Sequence, residues 1–135
     1  MDLHLEGKTA LVGGGSKGLG YASALRLAKE GVRVAICARN LPDLEKAAKQ
    51  IESETSTPVV TIAFDLAKTA KLKSEVVDVA LEALGSIDIL VVNSGGPKAG
   101  NFNELNMEDW DDAYRSVFLY VRELYRHITP HMKEQ

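Results

Sequence analysis

Short apolar runs alternate along the chain with longer stretches whose apolar residues recur at helical spacing. Thr9–Val12 is the first such run, and Gly18–Glu30 follows as a helix with Gly31 placed to end it. Val32–Cys37 is a second run, rich in β-branched residues. Leu41–Ser53 then sets Leu44, Ala47, Ala48 and Ile51 on one helical face, with Pro42 suited to the first turn. Val59–Phe64 is the third run. The pattern predicts a helix over Lys68–Leu84, with Leu72, Val76, Val79, Ala80 and Ala83 inward and Gly85 at its end. Ile87–Val92 is the fourth run. Residues 107 to about 127 read as a long fourth helix, which Pro130 is expected to end.

Four short apolar segments separated by helices predict an α/β fold with parallel strands and right-handed crossovers. The runs are continuous rather than alternating, as expected for strands covered on both faces. The expected strand order is 3-2-1-4, one half of a doubly wound sheet. At 135 residues the chain is read as a single domain, with 45% hydrophobic and 26% charged residues and a net charge of −3. No basic stripe points to nucleic acid, and no apolar run approaches the roughly 20 residues of a membrane span. The N-terminus lacks the basic and apolar regions of a signal peptide. Cys37 is the only cysteine, so no internal disulfide forms, in keeping with a cytoplasmic setting.

The chemistry concentrates between Lys8 and Gly20, where strand, glycine cluster and helix follow one another at once. That order makes a cradle for a dinucleotide phosphate: bare backbone approaches the ligand, and the helix start offers free N–H groups and its positive dipole end. Two registers fit. Gly13-x-Gly15-x-x-Gly18 and Gly14-x-x-x-Gly18-x-Gly20 both point to the same ligand, and a ligand-free glycine turn is the alternative. A P-loop is excluded, because Gly7-Lys8-Thr9 precedes its strand and Asp2 stands where the first glycine belongs.

Ligands of open α/β sheets sit beyond the C-terminal strand ends, and each of these ends carries polar residues here. Strand two ends Cys37-Ala38-Arg39-Asn40, without the acid that would receive a ribose hydroxyl. Arg39, with Lys17 from the glycine turn, instead suits a 2′-phosphate and predicts NADP(H) in preference to NAD(H); otherwise both are solvated surface cations. Asp65, before Leu66, either accepts from an adenine amino group or caps helix three. Asn93-Ser94-Gly95-Gly96 lets a ribose pass close to backbone, with Asn93 cross-linking loops, or is an ordinary polar turn.

Together these segments resemble the N-terminal half of a short-chain dehydrogenase/reductase, with a Rossmann-type sheet. Gly14-Gly15-Ser16-Lys17-Gly18-Leu19-Gly20 matches the family's Gly-x-x-x-Gly-x-Gly turn, although Gly13 replaces the usual preceding Thr. Asn93-Ser94-Gly95-Gly96 is similar to the family's Asn-Asn-Ala-Gly segment, and Asp65-Leu66 to its adenine-side acid and apolar neighbour. Lys17 and Arg39 resemble the basic pair of NADP-preferring members. The resemblance implies that Ser16, Gly18 and Leu19 meet the pyrophosphate and that Arg39 and Asn40 flank the adenosine phosphate. It further implies that Asn93 braces the sheet, Gly95 lies under a ribose, and hydride passes between nicotinamide and a carbonyl or alcohol carbon.

Two departures bear on catalysis. Seven residues after Trp110, where the resemblance expects a catalytic Asn, stands Val117. The family's Tyr-x-x-x-Lys is absent: Tyr21, Tyr114, Tyr120 and Tyr125 are followed four residues on by Leu25, Phe118, Leu124 and Thr129. The expectation is therefore a truncated, cofactor-binding half that does not turn over alone, its parent acting on a small carbonyl or alcohol. A non-catalytic nucleotide-binding module and a ligand-free assembly remnant are the competing readings. Tyr114, Phe118, Val121 and Tyr125 form an apolar stripe expected to pack in the core. A homo-oligomer through that helix or the fourth strand's edge is the other use. His127 and His131 do not make a metal site, and Cys37 is a small core residue.

Overall fold

The computed structural model describes residues 1–135. Four parallel strands form one sheet in the order β3-β2-β1-β4: β1 (Thr9–Gly13), β2 (Arg33–Ala38), β3 (Val59–Ala63) and β4 (Ile89–Val91). The order matches the 3-2-1-4 expectation. Helices α1 (Gly18–Lys29) and α2 (Leu41–Thr55) connect the first three strands. The path to β4 is more broken: a 3₁₀ turn at Thr69–Lys71, a π-helical turn at Lys73–Val77, then α3 (Asp78–Leu84). Beyond β4 come α4 (Met107–Tyr114), a second π-helical turn at Arg115–Leu119, and α5 (Tyr120–Lys133).

Each strand sends alternate residues to opposite faces, and both faces are covered. Ala10, Val12, Val34 and Ile36 pack with Ala24, Ala28, Leu44 and Ile51 of α1 and α2. Leu11, Ala35, Cys37 and Ile62 pack on the other face with Leu72, Val76, Val77, Leu124 and Ile128. Cys37 lies in this layer as expected, and burial pushes its thiol up to about 12, so it is unreactive at neutral pH.

Two expected helical faces are corrected, each in a helix that carries a π turn. A π turn inserts one residue into the helical phase and so rotates everything after it. Val77 and Leu84 are buried where Val79 and Ala83 were expected; Val79 is 40% exposed. In the long helix, Tyr120, Leu124 and Ile128 face the sheet. Tyr114, Phe118 and Tyr125 of the expected core stripe are each more than half exposed. Pro130 does not end that helix, which runs on to Lys133. So close to the C-terminus a missing N–H costs a single bond rather than a ladder.

The sheet's entry is pinned by side chains. Thr9, 1% exposed, gives its backbone N–H to Asp88 Oδ2 at 2.9 Å and its hydroxyl to the same oxygen at 3.1 Å. Asp88 N–H returns a bond to Thr9 O at 3.0 Å. On α5, Glu123 receives Arg126 at 2.8 Å and Arg122 at 2.8 Å, and these guanidinium bonds, that of Arg126 first, hold its carboxyl down to about 2.

Asp88→Ala strands the Thr9 N–H and is expected to reduce unfolding free energy by about 1–3 kcal/mol in chemical denaturation. Glu123 adds stability above the ordinary glutamate value of 4.5 that is lost as pH falls toward about 2. Acid unfolding followed by circular dichroism is therefore expected to be shallower over that window in Glu123→Gln than in the native chain.

Candidate functional site

The C-terminal ends of all four strands open into one cleft of about 750 Å³. It lies where the chain leaves β1 for β2 on one side and adjoins β4 on the other, the point where strand order reverses in a doubly wound sheet. Its first wall is the turn from β1 into α1. Gly14 (φ +59°) and Gly18 (φ +54°) both take the left-handed conformation that a side chain disfavours, and this swings the turn so that α1 points its start into the cleft. The N–H groups of Gly18, Leu19 and Gly20 have no backbone acceptor. No side chain caps the helix and no acid occupies its first turn. Gly18 and Leu19 line the cleft while Gly20 is buried, so this twelve-residue helix presents unsatisfied donors and its positive end to the cleft.

The opposite wall is the loop after β4. Asn93 Nδ2 donates to Gly13 O at 3.2 Å, so this side chain does cross-link the two loops. Ser94 Oγ donates to Ser116 O at 3.2 Å, tying the same loop to the π turn of the long helix. A side chain begun at Gly18, Gly95 or Gly96 would meet nothing within 4 Å, so bare backbone faces the cleft from both walls.

Charge is distributed unevenly along the cleft. Arg39, exposed just beyond β2, lines it without an ion-pair partner, next to Asn40, which caps α2 by accepting from Asp43 N–H at 3.0 Å. Lys17 does not reach out alone: its ammonium lies 3.0 Å from Asp43 Oδ2. Beside β3, Asp65 Oδ1 accepts from Ala67 N–H at 3.0 Å. Asp65 therefore shapes its own turn and does not cap the following helix, whose first 3₁₀ turn is preceded by Lys68. At the far end Asp109 closes a capping box with Asn106 and pairs with Lys98 at 3.2 Å. The Asn106 backbone bond, then Lys98, holds the Asp109 carboxyl below the usual range.

All twelve residues singled out from sequence line this one cleft: Gly14, Ser16, Lys17, Gly18, Leu19, Arg39, Asn40, Asp65, Leu66, Asn93, Ser94 and Gly95. Sequence reasoning missed Asp43, Ser116 and Tyr120. Asp43 was legible only as a first-turn acid of α2; its pairing with Lys17 is tertiary. Ser116 lines the cleft, whereas its neighbour Val117 is half exposed and does not. Tyr120 sits behind the cleft wall and gives its hydroxyl to Asn93 O at 2.9 Å.

A bare helix start facing open space, two glycine-lined walls and a free guanidinium fit a nucleotide diphosphate; no cluster of His, Cys, Asp or Glu suits a metal. No helix is long and apolar enough to cross a membrane. Residues 8–135 match the family model for short chain dehydrogenases. The chain is 33% identical over 131 residues to dehydrogenase/reductase SDR family member 4 of Caenorhabditis elegans, covering 96% of this chain and 50% of that protein. It is 35% identical to the short chain dehydrogenase/reductase dmxR18 of a Cryptosporiopsis species, covering 92% and 48%. Among solved structures, L-sorbose reductase from Gluconobacter frateurii, complexed with NADPH and L-sorbose, superposes with a TM-score of 0.92 at 30% identity, covering 99% of this chain and 51% of the other. The chain spans about half the length of the curated relatives it matches. Matching residues 8–135 to the family model, on a fold that solved members share, places this chain in the short-chain dehydrogenase family.

Proposed function

We propose that this chain is the coenzyme-binding half of an NADP(H)-dependent oxidoreductase acting on a small carbonyl or alcohol. The observation that carries this reading is the uncapped start of α1, whose free N–H groups open into the cleft opposite Asn93–Gly96. In this reading the donors of Gly18 and Leu19, with Ser16, hold the diphosphate, and Gly95 leaves room for a ribose. Arg39 grips the adenosine 2′-phosphate in a forked, charge-assisted pair, with Asn40 beside it. Asp65 and Leu66 border the adenine. The bound coenzyme supplies or accepts hydride at the nicotinamide C4. NADPH in the L-sorbose reductase complex and NADP in a Burkholderia cenocepacia relative support the choice of the phosphorylated form.

The chain's own groups bind and orient; none is placed to move the substrate proton. Tyr120 is buried with its phenol pushed above the ordinary range by burial, and no tyrosine has a lysine four residues on. Such a group is mismatched to acid–base work at neutral pH. In this reading the chain binds coenzyme without turnover and works in a reducing, cytoplasmic compartment, where buried Cys37 stays a thiol. A nucleotide-binding module without catalysis is the second reading, favoured by the same lack of a proton donor. Assays over varied carbonyl and alcohol substrates are expected to show no turnover by the pure chain; robust turnover contradicts this.

Titration calorimetry with NADPH and NADH tests the binding reading. NADPH is expected to bind more tightly, and Arg39→Ala to cost NADPH about 1.5–3 kcal/mol while leaving NADH unchanged. Equal affinity for the two coenzymes, or no saturation by either on folded protein, contradicts it. Asp43→Asn releases Lys17 and removes a negative charge beside the phosphate. It is expected to tighten NADPH about threefold in low salt, with the gain shrinking as ionic strength rises and NADH again unaffected.

A further inference from the structure

Gly13, the last residue of β1, is fixed by a neighbour from the far end of the chain. A Cβ there would overlap both the Tyr120 hydroxyl and the Asn93 carbonyl oxygen. The space left by the missing side chain is filled by that hydroxyl, which donates to Asn93 O at 2.9 Å. From the other side, Asn93 Nδ2 donates to Gly13 O at 3.2 Å. A Cβ at Gly14 would approach the same Nδ2 to 2.7 Å, so the amide also lies close against the next residue of the turn. Tyr120 is itself 1% exposed, in the layer that packs α5 on the sheet. Burial pushes its pKa up, so the hydroxyl remains a donor throughout the working pH range.

We infer that Tyr120 is a positioning residue for the coenzyme cleft, its hydroxyl setting the height of the Asn93–Gly95 loop over the glycine turn in the space that position 13 leaves empty. The loop is held to the long helix at two points, Tyr120 to Asn93 O and Ser94 to Ser116 O. The Tyr120 bond is the one anchored in the core. Without it Asn93 O is an unpartnered acceptor behind the cleft wall, and the loop relaxes away from the turn. The two walls then no longer keep the spacing that a diphosphate and its ribose need. The inference rests on the coenzyme reading above.

The test is NADPH affinity and melting temperature for Tyr120→Phe, which keeps the ring and removes only the hydroxyl. Ile128→Val, a core change on the same helix face, serves as the control. Tyr120→Phe is expected to weaken NADPH about tenfold, the effect of one lost hydrogen bond and a stranded acceptor. Ile128→Val is expected to lower the melting temperature while leaving affinity unchanged. An NADPH affinity for folded Tyr120→Phe within about twofold of the native value overturns the inference, whatever happens to its stability. If that variant does not fold, the native chain decides. A slowly exchanging Tyr120 hydroxyl proton, shifted in NMR spectra by saturating NADPH, supports the inference; a fast-exchanging or unmoved proton overturns it. Failure of the native chain to bind NADPH overturns the coenzyme reading and this inference together, whereas native binding with an indifferent Tyr120→Phe removes the inference alone.

Discussion

The start of α1 must stay bare, and much of the surrounding structure follows from that constraint. Three amides at Gly18–Gly20 are left without backbone partners, and no side chain caps the helix. In most helices a Ser, Thr, Asp or Asn satisfies one of these donors and contributes roughly 1 kcal/mol. Here α2 is capped by Asn40 and α4 by Asn106, so the chain supplies caps elsewhere and withholds one at α1. Helix packing against Val12, Val34 and Ile36 offsets the missing cap. The donors of Gly18 and Leu19 thereby stay open to the cleft.

The second wall is positioned as closely as the first. Asn93 contacts the turn through its amide and the core through its carbonyl, while Ser94 reaches the π turn of the long helix. Tyr120, the first residue past that π turn, is buried, while Tyr114 and Phe118 lie outward, their rings stacked at 5.3 Å on an exposed face. The face that this helix turns to the sheet thus also sets which group reaches the loop beneath the cleft. Electrostatics add a further constraint. Lys17 is held by Asp43 and Arg39 is not held by any acid, so the two cations differ in how readily they meet a phosphate.

The sheet and the cleft were largely legible in the sequence, because both depend on local signals. Apolar runs long enough for a strand, glycines after β1 and polar residues after each strand are all local. The parallel order follows from the crossovers they require. The boundaries moved by a residue or two, and the fourth strand shortened to Ile89–Val91, its pairing with β1 running from Ala10–Ile89 to Val12–Val91. What escaped was helical phase. The helical pattern assigns Val79, Ala83 and Tyr114 to the core, and nothing in composition marks that Val77, Leu84 and Tyr120 lie there instead. Tertiary pairings escaped for a related reason. Asp43 against Lys17, and Tyr120 against Gly13, join residues with no shared motif, so neither spacing nor residue type announces them.

The account turns on the amides at the start of α1, and NMR of the uniformly ¹⁵N-labelled chain during an NADPH titration observes them directly. The largest shifts are predicted at Gly18 and Leu19, saturating together with smaller shifts at Asn93–Gly95. A well-dispersed spectrum in which those amides remain still at saturating NADPH would contradict it.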